Sequence, residues 1–143
     1  MARFPLSRTE AGAGIAAGYR GRPGEAQLQD SPFTKWDAPH NVIQGQFLEP
    51  GQRDWAVLCR HQDRSSILLY PGNVIADVQT VRSENHDPYR IIHTVTKFVL
   101  QKRAIRDKLT ESVPEFDHDA IEDGPIQKAA IVLYHRDGEW TEF

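Results

Sequence analysis

The span 41–72, NVIQGQFLEPGQRDWAVLCRHQDRSSILLYPG, constrains the fold of this chain more than any other stretch. Residues 42–47 read as a first strand, and Pro50-Gly51 then marks a turn. Residues 54–60 place Trp55, Val57 and Cys59 on one face and Ala56 and Leu58 on the other. Apolar side chains on both faces predict a strand buried on both sides. Residues 61–64 are polar enough for a hairpin connection, and 65–70 read as the returning strand, ended by Pro71-Gly72. Connections this short join antiparallel strands. Trp55, Val57, Leu58, Ile67 and Leu69 are the expected core of this sheet nucleus.

Downstream, alternation over 74–81 predicts a fourth strand and 83–88 a loop. From Ile91 the period lengthens. Ile91, Val95, Phe98, Ile105 and Leu109 fall on one 3.6-residue stripe, which predicts a helix over 94–109 with that stripe turned inward. Lys102 interrupts the stripe, and the β-branched residues of 91–96 favour a strand at its start. Residues 111–125 read as an acidic loop, 126–135 as a strand, Arg136-Asp137-Gly138-Glu139 as a hairpin turn and 140–143 as a closing strand. The expected architecture is α+β, a mostly antiparallel sheet of about five to six strands with one main helix packed on one face. Residues 1–28, rich in Gly, Ala and Arg without periodicity, are expected to be a flexible arm. Residues 29–143 are expected to form a single α+β domain, with Phe33 and Trp36 pinning its first segment.

Composition narrows the partners. Formal net charge is −3, which gives no case for nucleic acid or an anionic membrane as a partner. Residues 97–108 hold five basic side chains against Asp107, and residues 111–123 hold six acids with no Lys or Arg. Two solvated faces, set against one another, are the plainest reading. No window is apolar enough for a membrane span. The N-terminus lacks the apolar region of a signal peptide, so the chain as written is expected in the cytoplasm. A misplaced start would instead leave a periplasmic or secreted protein.

The candidate chemistry is thin. Asp117, Asp119, Glu122 and Asp123 offer hard oxygen ligands on one loop, as Ca2+ prefers, yet the central Gly and terminal Glu of an EF-hand loop are missing. The competing reading is an acidic loop that caps turns and pairs with the basic helix. His93, His118 and His135 lack any zinc spacing. Ser65 or Ser66 with His61 or His93 and Asp63 could be arranged for acyl transfer, but no G-x-S-x-G elbow accompanies them. Phosphate-binding glycine loops are absent too. Cys59, the sole cysteine, lies in an apolar run and reads as a small core residue. Trp36, Trp55, Trp140, Tyr70 and Tyr134 could build a carbohydrate- or peptide-binding platform, though strand aromatics are more often core.

The run GQFLEPGQRDWAVL followed by SSILLYPGN resembles the unit of FG-GAP or VCBS-type propeller blades, with Asp54 at the conserved-looking aspartate of that pattern. It departs at the calcium loop, where Leu48, Pro50 and Gln52 leave only Glu49 as a ligand, and a single copy cannot close a propeller. Residues 39–140 resemble more fully a group of small uncharacterised bacterial proteins, often exported. The resemblance runs through the hairpin and through His118, Ile121, Glu122, Asp123, Lys128, Ala129, Tyr134, Gly138 and Trp140. It implies a fold and no activity. The functional expectation is therefore a non-enzymatic binding or structural accessory module without a cofactor, with a protein or carbohydrate as its partner. The alternative is a divalent-cation-binding protein or metal-dependent hydrolase using the acidic loop 117–123.

Overall fold

The computed structural model describes residues 27–28, 41–107, 115–125 and 128–143. Expectations for the arm and for Phe33 and Trp36 lie outside these residues, except that Gln27–Leu28 forms a short strand, β1. The sheet nucleus is as expected. Strands β2 (Val42–Gly45), β3 (Asp54–His61) and β4 (Arg64–Tyr70) pair antiparallel, β3 and β4 in unbroken register from Trp55↔Tyr70 to His61↔Arg64. Gln62, with φ of 54°, supplies the tight turn between them. β1 and β2 lie end to end along the same edge of β3, β1 against Cys59 and Arg60 and β2 against Asp54 to Val57.

The expectation of a single sheet is corrected. The described chain is mostly β, with two antiparallel sheets and one α-helix. After two 3₁₀ turns over 71–77, where a strand was expected, β5 (Gln79–Asn85) completes the first sheet beside β4, with an extra residue at Val81 where the register shifts. Asp87 then turns the chain out of that sheet, its carboxylate accepting from the Tyr89 N–H at 2.8 Å. The second sheet follows in simple order: β6 (Arg90–Val95), β7 (Ala120–Pro125), β8 (Ile131–Arg136) and β9 (Glu139–Glu142). Helix α1 (Lys97–Asp107) connects β6 to the segment before β7. Asp137 and Gly138, at φ of 53° and 83°, form the expected two-residue turn between β8 and β9.

Two features of the sequence concealed the second sheet. Ile91 and Val95 are four residues apart, and four is both about one helical turn and two strand repeats, so the same residues fit either period. The six residues of β7 include Glu122 and Asp123, which look solvated until their partners on other elements are known.

The layers are sheet, sheet, helix. Ile43, Phe47, Ala56, Leu58, Ile67 and Leu69 of the first sheet and its loop meet Ile92, Ile121 and Leu133 of the second. The opposite face of β3 is buried as well, through Trp55, Val57 and Cys59, as a strand apolar on both sides requires. The far face of the second sheet holds a separate core, where Val95, Ala120 and Tyr134 pack with Leu100 and Ala104 of α1 and with Phe116. The helix is therefore turned differently from expectation. Leu100 and Ala104 face inward, while Phe98 and Ile105 stand 71% and 59% exposed.

Polar contacts join the two sheets at both ends of their shared core. Arg90 and Asp123, each 3% exposed, form a two-point ion pair with both N···O distances at 2.7 Å. The same guanidinium donates to the Ser65 carbonyl on the first sheet at 2.7 Å. Arg82 on β5 reaches back to Glu142 at 2.8 Å and lies 3.6 Å from Asp123. At the other end the Thr94 hydroxyl donates to the Gln44 carbonyl at 2.9 Å.

Candidate functional site

A concavity with a largely apolar lining opens between α1 and the far face of the second sheet. Leu100 and Ala104, one turn apart on the helix, meet Val132 of β8, and Phe116 and Phe143 close the end. The open cleft holds about 400 Å³, within the range of small-ligand pockets. Phe143 meets Phe116 edge-on at 6.1 Å between ring centroids, and Phe116 meets Tyr134 edge-on at 5.1 Å. The Arg136 guanidinium lies 5.8 Å and 5.3 Å from the centres of those last two rings. Charged side chains complete the lining. Arg103 donates to Glu122 at 2.7 Å, and Arg106 binds the neighbouring Asp107 at 2.6 Å. The Arg106–Asp107 contact lowers the Asp107 titration and raises that of Arg106. The Arg103–Glu122 pair joins the basic and acidic segments, as their opposed charges suggested.

A second constellation lies on the neighbouring rim. His118 is buried and stacks on Tyr134, with ring centroids 4.3 Å apart. Its Nε2 donates to the His135 carbonyl at 2.8 Å, which fixes the ring. Its Nδ1 lies 2.5 Å from Asp117 Oδ1 and 3.1 Å from the Tyr134 hydroxyl, and that hydroxyl also donates to Asp117 at 3.0 Å. The His118 contact first, and the Tyr134 hydroxyl second, hold the Asp117 carboxyl below its ordinary range. Burial, with the Asp117 carboxylate beside it, pushes the Tyr134 phenol upward. With Nε2 bound to a backbone oxygen and Nδ1 enclosed, the imidazole has no nitrogen turned to a substrate. The cluster clips residues 115–119 to β8.

The four acids expected to share a cation diverge. Asp117 faces His118 and Tyr134. Asp119 accepts from the Gln46 N–H at 3.0 Å and from the Lys97 N–H at 3.3 Å, so it serves the start of α1 and the end of β2. Glu122 points to Arg103 on the helix side of β7, and Asp123 to Arg90 on the opposite side. Successive strand residues face opposite ways, so Glu122 and Asp123 cannot converge on one ion. Among the described residues no group of three or more His, Cys, Asp or Glu is arranged to hold a metal ion.

The remaining candidates have structural settings. Asp54, fully buried, accepts from the N–H groups of Phe47, Leu48 and Gly72 and from the Gln52 amide, at 2.7 to 3.1 Å. It organises the turn after β2 and ties it to the one after β4. Ser65 Oγ lies 2.9 Å from His86 Nδ1, a pairing with neither of the histidines expected, and Ser65 is 0% exposed, out of reach of a substrate. Burial pushes the Cys59 thiol from 9.0 up to about 12, which removes the thiolate a nucleophile needs. Trp55, Tyr70 and Tyr134 are core residues and form no platform, while Trp140 packs partly buried against the inter-sheet core.

The residues that shape the cleft, Leu100, Phe116, Val132 and Phe143, were not legible as a site. Their only signal was that the helix carries two apolar faces, and sequence alone does not say which one turns inward. Compared with protein-family models, curated proteins and solved structures, the chain matches none.

Proposed function

We propose that the protein is a non-enzymatic binding module whose ligand lies in the cleft between α1 and the second sheet. The ligand class is a molecule with an apolar body and one anionic group. The observation that carries this reading is the composition of the cleft. Its apolar lining is Leu100, Ala104, Phe116, Val132 and Phe143, and the cations Arg103 and Arg106 line the same space, each held by a single acid. Pockets that bind small molecules combine an apolar body with few, placed polar groups. The inaccessible Ser65, the protonated Cys59 and the enclosed His118 favour binding over catalysis. The reading is in keeping with the resemblance of residues 39–140 to small bacterial proteins that carry no assigned activity.

A fluorescence titration with anilinonaphthalene sulfonate, an apolar anion, tests it. Saturable enhancement, displaced by decanoate and weakened about tenfold in Phe143→Ala and Arg106→Ala, is expected from loss of one apolar wall or one charge-assisted contact. Enhancement that does not saturate, or that neither substitution changes, refutes the cleft as a ligand site.

A further inference from the structure

The side of α1 turned away from the protein carries a second, independent message. Leu100 and Ala104 define the buried line of the helix, and at 100° per residue the opposite line runs through Phe98, Lys102 and Ile105. Two large apolar residues therefore occupy the outermost positions of a surface helix, 71% and 59% exposed, with Val99 at 40% on their flank. Exposed hydrophobes grouped on one face mark an interaction surface. The ridge is also cationic. Lys102 stands between Phe98 and Ile105, and the Lys97 ammonium lies 5.5 Å from the Phe98 ring centre. Arg103 and Arg106 are engaged by Glu122 and Asp107, whereas Lys97 and Lys102 make no ion pair among the described residues.

We infer that this ridge is a docking surface for an anionic lipid bilayer, on which α1 lies in the plane of the headgroups. Phe98 and Ile105 enter the acyl boundary, and Lys97 and Lys102 extend their stems to reach lipid phosphates. Shape and charge favour this occupant over two others. A helix projecting from a sheet is convex and suits a flat partner, not an extended peptide that needs a groove. A two-fold pair of this chain would place its axis midway between Phe98 and Ile105, setting Lys102 against Lys102 of the second copy. The chain's net charge of −3 does not oppose local adsorption, because screening confines the interaction to charges within about 10 Å of the surface. No helix of the described residues is long and apolar enough to cross a membrane, and adsorption needs none.

Sedimentation of the full chain with vesicles of equimolar phosphatidylglycerol and phosphatidylcholine tests the inference, with pure phosphatidylcholine as the neutral reference. The protein should sediment with the anionic vesicles at low salt, and high salt should weaken this. Phe98→Ser/Ile105→Ser and, separately, Lys102→Glu should each reduce the bound fraction by about tenfold while leaving the circular dichroism spectrum unchanged. Absence of binding to anionic vesicles, equal binding to neutral ones, or binding indifferent to both variants overturns it. A concentration-dependent dimer abolished by the same substitutions also overturns it, in favour of a second copy.

Discussion

Asp54 shows how a single residue can look functional and be architectural. A carboxylate excluded from solvent is stable only when donors replace its hydration, and four donors surround this one. Three of them are backbone N–H groups from two loops, so the side chain joins the turn after β2 to the one after β4. Asp54→Asn keeps the volume but presents an amide group where donors point, so about 3 kcal/mol of stability should be lost, visible as an earlier urea midpoint with an unchanged slope. An unshifted midpoint would show that the turns hold without it. This residue was legible in part. Its place in a blade-like run singled it out, but its donors come from residues 47, 48, 52 and 72, and only the fold brings residue 72 near.

At the scale of elements, legibility followed local contrast. β3, β4 and the β8–β9 turn were plain because their patterns admit one periodicity and their turns contain Gly, Pro or Asp. β6 and α1 were blurred because the apolar spacing suits two structures, and β7 because its charges are satisfied by partners on β6 and α1. The segment before β7 depends on the cluster of Asp117, His118 and Tyr134. Because the folded Asp117 carboxyl titrates lower than in the unfolded chain, its contribution is complete above the ordinary carboxylate range. It is lost as pH falls through the lowered folded value. Tyr134→Phe keeps the buried ring and removes one donor, so the Asp117 midpoint, followed by carboxylate carbon NMR, should move up toward its ordinary value. A midpoint identical to the unsubstituted protein's would mean that the hydroxyl contributes nothing to the clip.

For the molecule as a whole, Arg90 decides how the two sheets meet: Asp123, on the neighbouring strand of the second sheet, holds the guanidinium where it donates to the Ser65 carbonyl of the first. Hydrophobic contact between Ile43, Leu58, Ile67, Ile92, Ile121 and Leu133 is non-directional and tolerates sliding, whereas a guanidinium fixed by its two-point pair with Asp123 and bonded to the Ser65 carbonyl favours one alignment. Either Arg90→Met or Asp123→Leu alone should cost about 3–5 kcal/mol by depriving a buried charge of its two-point partner. The double variant should lose much less than the sum. Additive losses in this cycle, measured by urea unfolding, would mean that the two groups do not act as a pair. None of this was readable from the sequence, since the partners stand 33 positions apart and the acid sits in a run that looks solvent-facing.

The middle sheet has one further consequence. Because β7 contributes Ile121 to one core and Ala120 to the other, neither the helix nor the first sheet can detach without uncovering it. Deuterium should therefore enter the paired amides of β7 last, and loss of the outer helix should hasten labelling there before it does so in β3. The strand that looked most like a solvated loop is the mechanical keel of the molecule.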